Sequence, residues 1–253
     1  YTNSSGTTTM VVAMDTGRIY RYTVGTDTWT ELRRGLTTGF QVITHVPFRG
    51  QLFLSWAGLD ESPYKFDDTD LLPVGAFGGS QIVANFETTE VWAGGSADTT
   101  NFRTGVQGRS LAGAANMVLD YSPNRDFLTA LNGGTNLAAA DVFRIKAIRT
   151  AGAGAGTVRF RFGNAADTVF FQVSTTVTSG SFTQLSIARS AFALTGVPVW
   201  SSIARFTILV DTADTITFDD AHWEYNLRPP VGSLIDMYNQ QLVVAGISTD
   251  RVL

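Results

Sequence analysis

The sequence predicts an all-β protein in which one repeat-built domain carries a second β domain inside a loop. Apolar and polar residues alternate over short runs, and turns rich in Gly, Asn and Asp separate the runs, as is typical of half-buried strands. Phe48–Ser55 and Tyr238–Ala245 share one order of aromatic, turn and apolar strand residues. About 145 residues of different texture lie between these copies. We therefore predict a first domain over residues 1–80 that resumes over 229–253, and an inserted domain over 81–228.

Composition limits the classes of function. The chain has 253 residues, and 44% of them are apolar, which suffices for one large core or two medium ones. Because the chain has no Cys, it can form neither a disulfide framework nor a thiolate metal site. The net charge of −4 argues against specific nucleic-acid binding, which needs a basic surface. No apolar run approaches the roughly 20 residues that cross a bilayer, so we predict no membrane span.

The outer segments have the pattern of short antiparallel strands arranged as meanders. The predicted strands cover residues 10–14, 18–24, 28–32, 40–46, 51–56 and 64–66. The order of Gly17–Tyr22 followed by Thr28–Leu32 resembles blades of kelch-like β-propellers, and this resemblance implies a partial β-propeller. An ordinary β-meander within a sandwich is the alternative. Because blades bury their faces against neighbouring blades, we expect this part of the chain to pack against further blades or other chains.

Two longer phrases in the outer segments resemble propeller-type structural proteins of tailed bacteriophages. One is Phe48–Leu54 followed by Ser62–Asp67, and the other is Pro229–Gly232 leading into Tyr238–Gly246. The resemblance implies a non-enzymatic structural protein of the tail, nozzle or neck, located in the virion. Its implied partners are other virion proteins and copies of itself.

The insert has opening and closing strands of its own. It opens at Ile82–Glu87 and closes at Thr215–Tyr225. Between them, alternation predicts strands over residues 142–148, 158–162, 169–173, 182–187 and 203–210. Seven or eight strands of this kind in one segment favour a jelly-roll β-sandwich.

Several motifs of the insert resemble carbohydrate-binding modules of the jelly-roll type. They are Asn85–Glu87 with Trp92, Phe182–Ile187 with Phe192, Val199–Ile203, and Phe218–Asp220. The resemblance implies a glycan-binding or adhesive module, and for a virion protein the ligand would be a glycan of the host surface. It also implies one structural calcium ion that joins the first and last strands. It does not identify the sugar site, because those residues vary within the family.

Glu87 and Asp219 are the predicted calcium ligands. Ca²⁺ takes six to eight oxygen ligands, carboxylates among them, and Glu87 meets the closing strand if the first and last strands adjoin. Successive strand residues face opposite sides, so Asp219 and Asp220 cannot have equal roles, and we favour Asp219. The alternative is that these carboxylates cap strand ends and accept hydrogen bonds from backbone amides.

The predicted glycan-binding residues are four basic side chains and one tyrosine. Arg144 and Lys146 alternate with apolar residues in one predicted strand, and Arg159 and Arg161 do so in the next. If these strands form a hairpin, the four basic side chains share one face, and an acidic or hydroxyl-rich glycan would offset their repulsion. The alternative is solvated charge balanced by nearby Asp or Glu. Tyr121, in a segment expected to be a loop, would stack on a sugar ring or pack on the core.

No motif of the chain predicts catalysis. His45 and His222 occur without a nucleophile elbow, and we interpret both as structural residues. A glycosidase needs two carboxylates in a cleft, and the acids clustered in one outer segment have the ordinary composition of a loop: Asp60, Glu61, Asp67, Asp68 and Asp70. We therefore predict a protein that is not an enzyme. A secreted or cell-surface glycan-binding protein unrelated to phages is the alternative function.

Overall fold

A computed structural model describes most of the chain. The described residues are 1–3, 6–33, 43–56, 64–66, 71–73, 82–127, 141–152, 154–178, 180–224, 232–238 and 241–247. Backbone contacts divide the chain into one unit of residues 1–76 with 227–253 and a second unit of residues 77–226. The predicted boundaries of the insert, near residues 80 and 228, and the acidic cluster that begins at Asp60 lie outside the described residues. No helix among the described residues is long and apolar enough to cross a membrane.

The first unit consists of short antiparallel strands. Its described strands are β1 Met10–Met14, β2 Arg18–Thr23, β3 Thr28–Arg33, β4 Ile43–Phe48, β5 Gln51–Trp56, β6 Tyr64–Phe66, β7 Leu71–Pro73, β20 Gly232–Tyr238 and β21 Gln241–Ile247. They form sheets of order β1-β2-β3, β4-β5-β6-β7 and β20-β21. The first two sheets share one apolar cluster, built around the buried side chains of Ile19, Leu52, Leu54, Tyr64 and Phe66. The predicted meanders are confirmed, whereas their arrangement as propeller blades stays a prediction.

The sequence repeat corresponds to a repeated hairpin. Phe48 ends β4 and pairs with Gln51 at the start of β5. Tyr238 ends β20 and pairs with Gln241 at the start of β21 in the same way. The shared order of aromatic, turn and apolar residues therefore encodes one local structure twice.

The second unit is a β-sandwich of two antiparallel sheets. Its strands are β8 Ile82–Ala84, β9 Trp92–Ala93, β10 Ser96–Asp98, β11 Gly108–Ala112, β12 Ala115–Arg125, β13 Val142–Ala151, β14 Gly156–Gly163, β15 Phe170–Val177, β16 Thr183–Ala188, β17 Ala193–Thr195, β18 Ile203–Val210 and β19 Thr215–Glu224. Sheet I has the order β10-β11-β19-β13-β16, with β8 also paired to β19, and sheet II has the order β17-β15-β14-β18-β12-β9. The chain passes repeatedly from one sheet to the other, as in a jelly roll. A 3₁₀ turn covers Arg189–Ala191.

Aromatic rings from both sheets fill the space between them. Phe162 of sheet II is fully buried, and its ring centroid lies 5.3 Å from that of Phe143 and 5.8 Å from that of Trp223, both in sheet I. Phe206, on the strand beside Phe162, stacks on it at 4.8 Å. The predicted long strands of the insert are confirmed. Four described strands of this unit were not predicted. β10 and β17 have only three residues each, too few to show alternation, whereas β11 and the 11-residue β12 were missed, the latter in a segment expected to be a loop.

Candidate functional site

The motif at the start of the insert forms a closed turn. The Glu90 carboxylate accepts hydrogen bonds from the backbone N–H groups of Asn85 and Phe86, both at 2.8 Å, and from Nε1 of Trp92 at 3.0 Å. Phe86 has a φ of 60° and stacks on Trp92 with ring centroids 5.1 Å apart. Burial raises the pKa of Glu90, and the three N–H donors oppose that rise. The motif thus has a structural role, since its polar and aromatic groups bind one another.

Glu87, in the same turn, contacts the connection between β10 and β11. We call this connection, residues 99–107, the strap. The backbone N–H of Val106 donates to Glu87 Oε1 at 2.9 Å. Gly105 has a φ of 60°, and a Cβ at this position would overlap Glu87 Oε1. Gln107 Nε2 donates to the carbonyl oxygen of Phe86 at 3.0 Å. Burial raises the pKa of Glu87.

Asp219 of β19 holds the same strap at a second point. Its Oδ2 accepts hydrogen bonds from the backbone N–H groups of Arg103 and Thr104, the latter at 2.8 Å. Its Oδ1 accepts from the Thr104 hydroxyl at 3.1 Å and from the N–H of Asp220 at 2.8 Å. Burial and the neighbouring Asp220 carboxylate raise the pKa of Asp219 to about 7, against the opposing effect of the Arg103 and Thr104 donors.

These hydrogen bonds decide how well the two carboxylates fit a calcium ion. A carboxylate offers about four lone-pair directions, and the four donors around Asp219 occupy that number. Asp219 in this arrangement does not fit a calcium ligand. Among the described residues, no group of three or more His, Asp or Glu side chains forms a metal cluster. Calcium bound by Glu87 and Asp219 remains a hypothesis, while the arrangement present is the alternative one, in which carboxylates bind backbone amides.

The outer face of sheet I is covered. Lys146, on β13, is only 8% exposed. Arg144, on the same strand, donates from Nε to Glu224 Oε2 at 3.0 Å, and its side chain is 12% exposed. His222 lies between two carboxylates, with Nε2 2.9 Å from Glu224 Oε1 and Nδ1 3.1 Å from Asp220 Oδ1. The predicted binding residue Arg144 is therefore part of a buried network of charges, and the predicted binding residue Lys146 is buried as well.

The outer face of sheet II is partly exposed, and three arginines lie on it. We call it the arginine face; Arg159 and Arg161 of β14 and Arg205 and Thr207 of β18 define it. In this register Phe160, Phe162, Phe206 and Ile208 point into the core, so the residues between them point outward. The side chains of Arg159, Arg161 and Arg205 are 32%, 18% and 24% exposed.

Each arginine of this face is held by an aspartate. Arg159 binds both carboxylate oxygens of Asp211 through Nε and Nη2. Arg205 binds Asp120 through the same two nitrogens, at 2.6 and 3.0 Å.

Arg161 is fixed from three sides. Its Nε donates to Gln172 Oε1 at 2.6 Å and its Nη1 to Asp167 Oδ2 at 2.9 Å. Its guanidinium carbon lies 4.4 Å from the ring centroid of Phe170. The three guanidinium groups are consequently oriented by the protein rather than free in solvent.

Two expectations about this region are wrong. The strands with the four basic residues do not form a hairpin, because β13 belongs to sheet I and β14 to sheet II. Their apolar residues meet across the core, with the rings of Phe143 and Phe160 5.5 Å apart, so Arg144 and Lys146 face away from Arg159 and Arg161. Tyr121 lies in strand β12 rather than in a loop.

The Tyr121 ring is 8% exposed, and its hydroxyl donates to the Val83 carbonyl at 2.9 Å. The structure places it in the core and not on either outer face. Arg205 and Thr207 were missed from the sequence, since nothing local assigns β18 to the sheet that contains Arg159 and Arg161.

Comparison with known proteins gives structural neighbours only. No protein-family model and no curated protein matches the chain. A family 11 carbohydrate-binding module from Clostridium thermocellum, in complex with a β-1,3-1,4-mixed-linked tetrasaccharide, is 12% identical over 59% of this chain and 97% of that chain, with a TM-score of 0.41. A family 30 carbohydrate-binding module of a Clostridium thermocellum cellulosomal cellulase is 12% identical over 73% of this chain and 98% of that chain, with a TM-score of 0.39. An exo-β-agarase is similar over 60% of this chain and 25% of its own, at 12% identity and a TM-score of 0.41. At these scores the likenesses carry no argument, and the description as a sandwich rests on the two sheets themselves.

We predict that Asp219→Asn destabilises the second unit by about 1–3 kcal/mol, the cost of leaving buried donors unpaired. The amide nitrogen of Asn would face N–H groups that Asp219 now accepts from. Thermal unfolding with and without a chelator checks this, with Asp15→Asn, in an exposed turn, as the control. The loss should be the same with and without chelator. A chelator that lowers the melting temperature of the wild type but not of Asp219→Asn would instead establish the calcium hypothesis.

We predict that His222 stabilises the fold at neutral pH and ceases to do so in alkali. Burial lowers its pKa, but the Asp220 and Glu224 carboxylates outweigh burial and raise the pKa to about 9. A folded-state pKa above the unfolded value of about 6.5 means that the stabilisation is complete below pH 6.5 and is lost as the pH rises through about 9. The stability difference between the wild type and His222→Gln should shrink over this interval. A constant difference from pH 6 to pH 10 would contradict the assignment.

Proposed function

We propose that the second unit is a non-enzymatic glycan-binding domain and that the arginine face is its binding surface. The observation that carries this proposal is the difference between the two outer faces of the sandwich. The face of sheet I buries its charged groups, with Glu224 1% and His222 2% exposed. The face of sheet II leaves its arginines and their aspartates partly exposed.

The chemistry of the arginine face suits hydroxyl-rich ligands. Sugar hydroxyls donate and accept hydrogen bonds, and the face offers guanidinium donors beside carboxylate acceptors, as in the Arg159–Asp211 and Arg205–Asp120 pairs. Because these side chains are already held in place, a ligand orders few of them on binding.

Two other ligand classes fit the face less well. A protein partner would bind mainly through buried aromatic and aliphatic anchors, whereas the residues of β15 directly opposite Arg159 and Arg161 are Ser174 and Gln172, which are both polar. A nucleic acid would need excess positive charge, whereas each of the three arginines is balanced by an aspartate and the whole chain has a net charge of −4.

We predict that Arg159→Gln weakens glycan binding about tenfold, which corresponds to roughly 1.4 kcal/mol. The folded state should lose little stability, because exposed ion pairs contribute at most about 1 kcal/mol. A glycan array followed by titration calorimetry measures the effect, with Arg18→Gln, in the first unit and 45% exposed, as the matched control. Absence of binding to every glycan, or equal binding by wild type and Arg159→Gln, would overturn the proposal.

We further propose that the chain is a structural protein of a tailed-phage virion and that it binds other virion proteins and copies of itself. Support for this setting comes from the repeated hairpin phrase of the outer segments and its resemblance to propeller-type virion proteins. The first unit would then form part of a propeller, and the second unit would be displayed toward a glycan of the host. A secreted or cell-surface glycan-binding protein is the alternative setting, with the same arginine face.

Removal of residues 82–227 separates these roles. If the second unit serves recognition, a chain in which a short Gly-Ser linker replaces it should still assemble into particles, and these particles should adsorb poorly to the host. Particle assembly and adsorption are measured directly. Failure to assemble would show that the second unit is part of the shell, and normal adsorption would exclude it from recognition.

A further inference from the structure

Thr207 occupies the middle of the arginine face and has an unpaired hydroxyl. It is 1% exposed, and its Oγ1 has no hydrogen-bond partner among the described residues. Its neighbours Phe206 and Ile208 belong to the core, so Thr207 points to the outer side of sheet II. A buried hydroxyl without a partner destabilises the folded state, because it has lost its hydrogen bonds to water without a replacement. Such a hydroxyl in the middle of a polar face is a candidate for binding a ligand group.

The three arginines of the face surround this hydroxyl. Arg161 lies directly opposite Thr207 in the register of β14 and β18. Arg205 is two residues before Thr207 on the same face of its own strand, and Arg159 pairs with Leu209, two residues after it. Directly opposite residues are about 5 Å apart and diagonal ones about 7–8 Å, so groups on all three guanidinium side chains can reach one small ligand.

Each guanidinium keeps one nitrogen available. Arg159 and Arg205 use Nε and Nη2 for their aspartates, which leaves Nη1 of each. Arg161 uses Nε and Nη1, which leaves Nη2. With the Thr207 hydroxyl, these nitrogens make a set of donors without a matching acceptor among the described residues.

The aspartates are arranged so that they do not occupy this position. The two residues directly opposite Thr207 are Arg161 on β14 and Val118 on β12, and neither is acidic. Asp120 pairs with Arg205, Asp211 follows the end of β18, and Asp167 lies in the turn after β14. The carboxylates therefore hold the guanidinium groups from the edges of the face, and no acidic residue lies directly opposite Thr207.

We propose that Thr207 and the free nitrogens of Arg159, Arg161 and Arg205 form a subsite for an oxyanion substituent of a glycan, either a sulfate ester or a uronate carboxylate. Planar guanidinium donors match the oxygen geometry of such groups. The inference rests on the proposed glycan-binding function and adds the charge class of the ligand. The chain's net charge of −4 gives no general attraction for polyanions, so recognition depends on this local arrangement.

Binding of matched charged and neutral polymers to the whole protein tests the subsite. Calorimetry with dextran sulfate and dextran asks whether the anion is needed, and polygalacturonate distinguishes a carboxylate from a sulfate. We expect binding to at least one polyanion and at least tenfold weaker binding to dextran. Thr207→Val should unfold at the same or a higher temperature than wild type, because it removes an unpaired hydroxyl, and should weaken polyanion binding about fivefold or more.

Controls separate the subsite from non-specific attraction and from the broader function. Thr30→Val, at an exposed position in the first unit, should bind like the wild type. Polyanion binding that Thr207→Val and Arg161→Gln both leave unchanged would overturn the subsite. Array glycans bound with equal affinity whether or not they have an acidic group would also overturn it, while leaving the proposed glycan binding intact. No binding to any array glycan or polymer would overturn both.

Discussion

The aromatic core between the two sheets is the constraint on which the rest of the second unit depends. Phe143 and Trp223 of sheet I pack against Phe162 and Phe206 of sheet II, with ring centroids 5.3 to 5.9 Å apart. Rings of this size bury the largest apolar areas available to a protein, so their inward orientation fixes the orientation of every alternate residue. Because these rings point inward, the alternate residues of each strand point outward and form the arginine face of sheet II and the buried outer face of sheet I.

Buried carboxylates hold the opening turn and the strap in place by accepting hydrogen bonds from backbone amides. Glu90 closes the opening turn, and Glu87 and Asp219 hold the strap at two points. The backbone N–H groups of an irregular connection have no neighbouring strand to bind. A buried carboxylate that accepts hydrogen bonds from several of them replaces the hydrogen bonds that a sheet would provide. Glycine is required at position 105 for the same reason, because a side chain there would overlap the Glu87 carboxylate.

The ion pairs of the arginine face have a different role. Pairs as exposed as Arg205 with Asp120, whose side chains are 24% and 59% exposed, contribute little to folding. Their physical effect is orientation: each fork of two hydrogen bonds turns a flexible guanidinium into a fixed donor. Thr207 lies among these fixed donors, and its hydroxyl has no hydrogen-bond partner among the described residues.

Local signals in the sequence determined the strands and the repeated hairpin. Alternation with period two identified the segments that became β13, β14 and β18, and the phrase that begins at Phe48 recurs at Tyr238 with the same structure. The sequence also predicted that Glu87 and Asp219 act in the same region, although it did not show whether they bind a metal ion or backbone amides. These features can be predicted from the sequence because each depends on residues that are close together in the chain.

The tertiary structure alone decided which strands share a sheet, and with it the composition of the arginine face. Alternation says that a strand has two faces, but it does not say which other strand lies beside it. Arg144 and Arg159 therefore gave the same local pattern and came to opposite sides of the sandwich, while Arg205 and Thr207 joined Arg159 from a distant part of the chain. Burial of the aromatic rings against each other settled that pairing, because it is a property of both sheets together and of no single segment.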